Sequence, residues 1–206
     1  MSNYSTIDPN KSYTFADYFK LNSEPDEVLS YFGYEYEAKS LELPKSDLEL
    51  DRIDYLKQNI EESLPCVSFT SEMARREFLI APVLMNLIHY IKVRIRVAYS
   101  LVVSEQLKGE LDYYLQGQNQ LLVIEAKNAD LQKGFTQLAV ELIALDTDKR
   151  ASQNLIYGAV SIGNIWQFSV LDCQRKIITQ DLSLYRVPTD LIELTQVLVG
   201  ILGNKN

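Results

Sequence analysis

GELDYYLQGQNQLLVIEAKN, residues 109–128, carries the reading on which the fold turns. Leu111, Tyr113 and Leu115 alternate with Asp112 and Tyr114, the period of two that marks a half-buried strand. QGQN (116–119) is a turn, and QLLVIEAKN (120–128) is a short, largely apolar strand. Upstream, VRIRVAYSLVV (93–103) alternates Val93, Ile95 and Val97 against Arg94 and Arg96. The three runs predict an antiparallel meander. Period two puts Glu125 and Lys127 on one face, and the tight turn lays Asp112 beside Glu125.

Two carboxylates 4–5 Å apart repel by roughly 3–4 kcal/mol at an effective dielectric of about 20. Lys127 could offset that as an ion-paired trio at a strand end. A divalent cation is the sharper reading, because hard oxygens are what Mg²⁺ takes. Asp112, Glu125 and the backbone carbonyl of Ala126 would then hold the metal, and Lys127 would orient or help deprotonate a metal-bound water. A bare Glu-x-Lys spacing does not choose between the two.

On either side, helices are expected. FTSEMARREFLIAPVLMNLIHY (69–90) starts a helix at Thr70 or Ser71 and bends at Pro82. At 100° per residue, Met73, Ile80, Ala81, Leu84, Leu87 and Ile88 form its buried arc, with Glu77 near the middle. Glu72, Arg75 and Arg76 take the opposite side, where Glu72 and Arg76 make an i,i+4 pair. DLQKGFTQLAVELIALDTD (130–148) is capped by Asp130 and packs through Leu131, Phe135, Leu138 and Leu142. Strands at 154–162, 165–172 and 176–186 and a helix at 188–203 complete an α-β-β-β-α-β-β-β-α order. The expected class is α+β (α/β), with a central mixed sheet flanked by helices.

The first 64 residues read as an acidic, mainly helical N-terminal extension packed on a core domain of residues 65–206. Short helices are expected at 14–20 and 24–33, a strand at 34–43, and a helix at 46–65 with Leu50, Ile53, Leu56 or Tyr55, and Ile60 on its apolar face. This third holds 14 acids and 6 bases, and the remainder 14 of each, so the whole net charge of −8 resides in it. Its aromatics at 13–36 suggest a protein partner or a homodimer contact.

GELDYYL, LLVIEAKN and KGFTQLAVEL together resemble the catalytic core of the PD-(D/E)XK nuclease superfamily, which includes restriction-endonuclease-like and repair nucleases. The likeness spans roughly residues 70–165 and implies an αβββαβ core. It implies that Asp112 and Glu125 bind metal, Lys127 is the motif lysine, and Gln137 is the helix glutamine. The helix glutamate is Glu77 or Glu72, with Glu77 preferred because it points inward on the wheel. Leu111 stands where many members have proline before the Asp. With its YTFADYF segment (13–19), the chain also resembles a bacterial group of uncharacterised restriction-endonuclease-like proteins. The resemblance implies a Mg²⁺- or Mn²⁺-dependent nuclease hydrolysing phosphodiester bonds, with DNA as the first candidate substrate. The alternative is a catalytically silent member used as a binding or assembly module.

Composition narrows the field further. His89 is the sole histidine and Cys66 and Cys173 are the only cysteines, which removes Ser-His-Asp catalysis without His89 and the usual structural zinc sites. Net charge excludes a generic basic DNA-coating protein, leaving Arg75, Arg76, Arg94, Arg96, Lys108 and Lys133 to meet phosphates. A sugar-cleaving carboxylate pair lacks an aromatic platform near Asp112 and Glu125, and it would leave Lys127 without a role. The apolar run 78–91 is broken by Pro82, Asn86 and His89 and is shorter than the about 20 residues of a membrane span. Residues 1–15 lack a basic start followed by an apolar run, and the cysteines read as free thiols, so a cytoplasmic protein without membrane partners is expected.

Overall fold

The computed structural model describes residues 7–117, 120–127, 130–148 and 153–203. The chain runs α1 (Phe15–Lys20), α2 (Pro25–Tyr31), β1 (Glu35–Lys39), α3 (Ile53–Ser63), α4 (Glu72–Arg75), a π-helical turn (Arg76–Ile80) and α5 (Ala81–Tyr90). It continues through β2 (Arg94–Val102), β3 (Lys108–Gln116), β4 (Leu121–Ala126), α6 (Leu131–Thr147), β5 (Leu155–Ser161), β6 (Ile165–Asp172), β7 (Ile177–Asp181), β8 (Tyr185–Arg186) and α7 (Leu191–Gly203). Of the turn expected at 116–119, Gln118 and Asn119 lie outside the described residues, as does the last residue of the 120–128 run.

The eight strands make one mixed sheet in the order β1-β7-β6-β5-β4-β3-β2, with β8 against β6. The 93–128 stretch forms the expected meander, antiparallel from β2 to β3 and from β3 to β4. β4 and β5 are parallel, and α6 makes the crossover that such a pair needs. The class is therefore α+β with helices on both sheet faces.

Period two sorts the strand residues between two cores. Leu122, Ile124 and Ala126 pack with α3, α5 and α7 on one face. Leu121 and Val123 pack with α1, α2 and α6 on the other, so the next residues of that parity, Glu125 and Lys127, point to the α6 side. The alternation breaks in β3. Leu111 joins the α6-side core while Tyr113 and Leu115 join the opposite one, which places the kink at Asp112. Across the ladder, between Val97↔Tyr113 and Tyr99↔Leu111, Ala98 has a φ of +51°, a left-handed conformation unfavourable for a residue with a Cβ.

The charge boundary near residue 64 is not a fold boundary. β1 extends the sheet by pairing parallel with β7. Phe15 and Tyr18 of α1 are fully buried in the same core as Phe135 of α6. Of the aromatics at 13–36, Phe15, Tyr18 and Tyr34 are buried, and Tyr13, Phe19, Tyr31, Phe32 and Tyr36 are half-buried. The helix expected over 46–65 forms only at Ile53–Ser63, with Ile53, Leu56 and Ile60 inward and Tyr55 outward. The residues before it form no regular element and pass α7, where the Ser46 N–H donates to the Gln196 carbonyl. A Cβ at Gly200 would meet the Pro44 oxygen at 2.4 Å, so only glycine admits that approach. Among the described residues, no helix is long and apolar enough to cross a membrane.

Candidate functional site

The β3–β4 ladder ends at Tyr113↔Ile124, one pair short of Asp112 and Glu125. The Asp112 side chain fills the gap, its Oδ2 accepting the Ala126 N–H at 2.9 Å. Its Oδ1 accepts from Arg76 Nη1 at 2.8 Å. Glu125 is almost wholly buried, and its Oε1 accepts from the Lys127 ammonium and from Gln137 Nε2 at 2.7 Å. The same Gln137 nitrogen donates to Glu141 Oε1 at 2.9 Å. Glu125 Oε2, Glu141 Oε2 and Gln137 Oε1 are buried without a hydrogen-bond partner.

α6 is held close enough for these contacts by its capped N-terminus and by a missing side chain. The Asp130 carboxylate accepts the Lys133 N–H, as expected for an N-cap. A Cβ at Gly134 would meet Val160 Cγ1 at 2.7 Å and Lys127 Cγ at 3.2 Å. Glycine thus seats the helix over β5 with the Lys127 stem beneath it.

Burial pushes Glu125 upward in pKa, and the Asp112 charge adds to it against the pull of Lys127. Burial, then the charge of Glu125, pushes Glu141 well above the carboxylate range. Of the two, Glu141, with no ammonium beside it, is the one pushed further toward keeping its proton. For Lys127, burial works against the ammonium, but Glu125 and its hydrogen bond, with Asp112 and Glu72, outweigh it and leave the pKa raised. Lys127 is therefore held as an ammonium paired with Glu125.

A cleft of about 440 Å³ opens beside this cluster, lined by Phe19, Lys20, Glu72, Lys127, Lys133 and Gln137 among others. The Lys127 ammonium lies 5.1 Å from the centroid of the Phe19 ring, so α1 walls one side.

The structure brings Asp112, Glu125, Lys127 and Gln137 together and leaves Glu77 out. Glu77 is exposed, as is Met73 at 69%, whereas Glu72 lines the cleft. The cause is the π-helical turn at Arg76–Ile80, whose wider winding breaks the 100° phase assumed for the whole helix. The preceding turn is rotated so that Glu72 and Arg76 face the sheet, and Ile88, expected in the buried arc, is also half exposed. Two members went unrecognised in the sequence. A uniform 100° phase puts Arg76 on the outer side, and Glu141 is marked only by its spacing of four from Gln137, which puts both on one helix face. Several expected phosphate contacts already have partners: Arg75 Nη1 donates to the Ile162 carbonyl, Lys108 pairs with Glu105, and Arg96 lies over the Tyr99 and Tyr114 rings.

Asp112 and Glu125 offer the hard oxygens a divalent cation prefers, and Glu125 Oε2 is an unused acceptor. Asp112 has both oxygens engaged, so its donation depends on release by Arg76. Among the described residues, no group of three or more His, Cys, Asp or Glu side chains is arranged to hold a metal ion. His89 is remote from the cluster in its contacts, its Nε2 lying 2.8 Å from Asp51 Oδ1, and both cysteines are free thiols.

Comparison with protein-family models, curated proteins and solved structures finds no match to this chain.

Proposed function

We propose that this protein is a cytoplasmic, divalent-metal-dependent nuclease of the PD-(D/E)XK type, with the restriction-endonuclease-like fold, that hydrolyses phosphodiester bonds in nucleic acid, DNA first. The observation that carries the reading is the meeting of Asp112, Glu125, Lys127 and Gln137 in one cluster, with Lys127 and Gln137 lining the cleft beside it. Asp112 and Glu125, with the Ala126 carbonyl, would hold Mg²⁺ or Mn²⁺, which when bound supplies Lewis-acid charge at the phosphate. Lys127, kept protonated by Glu125, orients water and meets developing negative charge. Gln137 fixes the Glu125 carboxylate through a single amide proton donor. Glu72, not Glu77, is the glutamate that faces the cleft.

The test is Mg²⁺- or Mn²⁺-dependent cleavage of single- and double-stranded DNA and RNA by wild type and Lys127→Ala, with the fold of each checked by thermal melting. Metal-dependent cleavage abolished in a folded Lys127→Ala supports the reading. Cleavage that survives the substitution removes this site from the reaction.

One observation favours a second reading, a silent binding or assembly module: Arg76 and Lys127 already neutralise both carboxylates. Calorimetry separates the two. A module shows no Mn²⁺ binding near millimolar concentration.

A further inference from the structure

Arg76 is the first residue of the π-helical turn, and that turn is what swings it toward the sheet. Its guanidinium bonds Asp112 Oδ1 at 2.8 Å and lies over the Tyr113 ring, 5.2 Å from the centroid. The pair is not sealed, with side-chain exposures of 24% for Arg76 and 18% for Asp112. Asp112 Oδ2 is tied to the Ala126 N–H of the sheet, so Oδ1 is the oxygen free to change partner. Glu125 Oε2 accepts from no amide, hydroxyl or ammonium group, and the interaction left to this carboxyl is with Glu141. Arg76 therefore occupies the place on Asp112 that a divalent cation would need. A guanidinium cannot leave by losing its proton, so once displaced it stays charged and turns either to water or to another anion. Glu72, whose charge acts on Arg76, lines the cleft, and a phosphate entering there is a better match for the planar fork of donors.

We infer that Arg76 is an exchangeable counter-ion: it holds Asp112 in the resting protein and passes to the phosphodiester when a divalent cation takes Asp112. Cation binding and phosphate capture then assist each other, since coupling between two sites is reciprocal. The inference rests on the metal-dependent reading above, and it assigns Arg76 a substrate contact that the resemblance does not supply.

The experiment is calorimetric titration of Mn²⁺ into the full chain as wild type, Arg76→Gln and Asp112→Asn. With the competing cation removed, Arg76→Gln binds Mn²⁺ about fivefold tighter or more, the low end of ordinary coupling, while Asp112→Asn loses binding. Affinity in a folded Arg76→Gln equal to or weaker than wild type overturns the exchange and leaves the nuclease reading standing. No Mn²⁺ binding by any of the proteins near millimolar concentration overturns both. Because Arg76→Gln strips Asp112 of its partner, a second measurement uses the wild type alone. The Arg76 Nε–Hε resonance, assigned by its loss in Arg76→Lys, is followed through Mg²⁺ and then thymidine 5′-monophosphate additions. It moves with each addition if Arg76 changes partners. A stationary resonance at Mg²⁺ saturation overturns the inference.

Discussion

Glu141 lies one helical turn beyond Gln137, and the amide nitrogen that reaches it at 2.9 Å is the same one that holds Glu125 at 2.7 Å. The two carboxyls thus meet at one amide nitrogen in a buried space, and burial raises both pKa values, with the Asp112 charge adding to it for Glu125 and the Glu125 charge adding to it for Glu141. Unfolded, a glutamate titrates near about 4.3. Above that pH the folded protein holds more protons than the unfolded chain, so stability falls as pH rises toward the raised values. The contribution is complete below about pH 4 and is lost on the alkaline side. Thermal melts from pH 5 to pH 8 should show a decline of up to about 1.4 kcal/mol per pH unit for each titrating group. Glu141→Gln should flatten that decline and melt above wild type at pH 8. Parallel slopes for the two proteins would show that Glu141 does not carry the proton.

Removing the shared donor should cost more than removing one of its acceptors. Gln137→Leu keeps the volume but leaves Glu125 and Glu141 with one fewer donor each, and a buried acceptor without a partner costs about 1–3 kcal/mol. Urea denaturation at pH 7 should show a loss of roughly 2–4 kcal/mol. A loss below about 0.5 kcal/mol, the size of an ordinary surface substitution, would mean the amide holds neither carboxyl.

What was legible in the sequence was whatever repeats with a regular period. The meander was readable because Leu111–Leu115 and Val93–Val97 alternate one face in and one face out, and its register followed from the short turn. Asp130 was readable as a cap, and Thr70 or Ser71 as another, because a short polar side chain before an apolar run has a local role; Asp130 and Ser71 are the two that accept N–H groups there. Glu77 misled because the phase of its helix is set by a π-helical turn, a backbone feature with no side-chain signature. Glu141 was silent for the opposite reason. Residues 134–145 of α6 are buried on every side, so no amphipathic stripe marks which polar residue faces the sheet. The burial of Phe15 and Tyr18 depends on α6, more than a hundred residues away, which no local pattern reports.

The Lys127–Glu125 pair makes a double-mutant cycle informative. The Lys127 and Glu125 side chains are 12% and 2% exposed, so solvent screens the pair little. Lys127→Met leaves Glu125 with a buried charge or a forced proton and should cost roughly 3–5 kcal/mol at pH 7. Adding Glu125→Gln removes the charge, so the double variant should recover much of that loss, with a coupling of about 1–3 kcal/mol. Additive losses would mean that Lys127 stabilises through its aliphatic stem alone.

Gly134→Ala sets two effects of opposite sign against each other. Alanine in a helix interior is favoured over glycine by about 1 kcal/mol. The new methyl would sit 2.7 Å from Val160 Cγ1, an atom of a β-branched side chain whose rotamer in β5 is stiff, and 3.2 Å from Lys127 Cγ. Overpacking of this kind costs about 1–3 kcal/mol, and neither neighbour is a flexible chain end that can swing aside. The clash should win, lowering stability by roughly 1–2 kcal/mol in urea denaturation. Relief can come only by lifting the start of α6 from the sheet, which lengthens the Gln137–Glu125 bond and frees Glu125 for water. Gly134→Ala should therefore weaken the pH dependence that Glu141 imposes as well as the fold. A rise in melting temperature with the pH slope intact would show that α6 tolerates the methyl without moving, and that its close seat on β5 does not position Gln137.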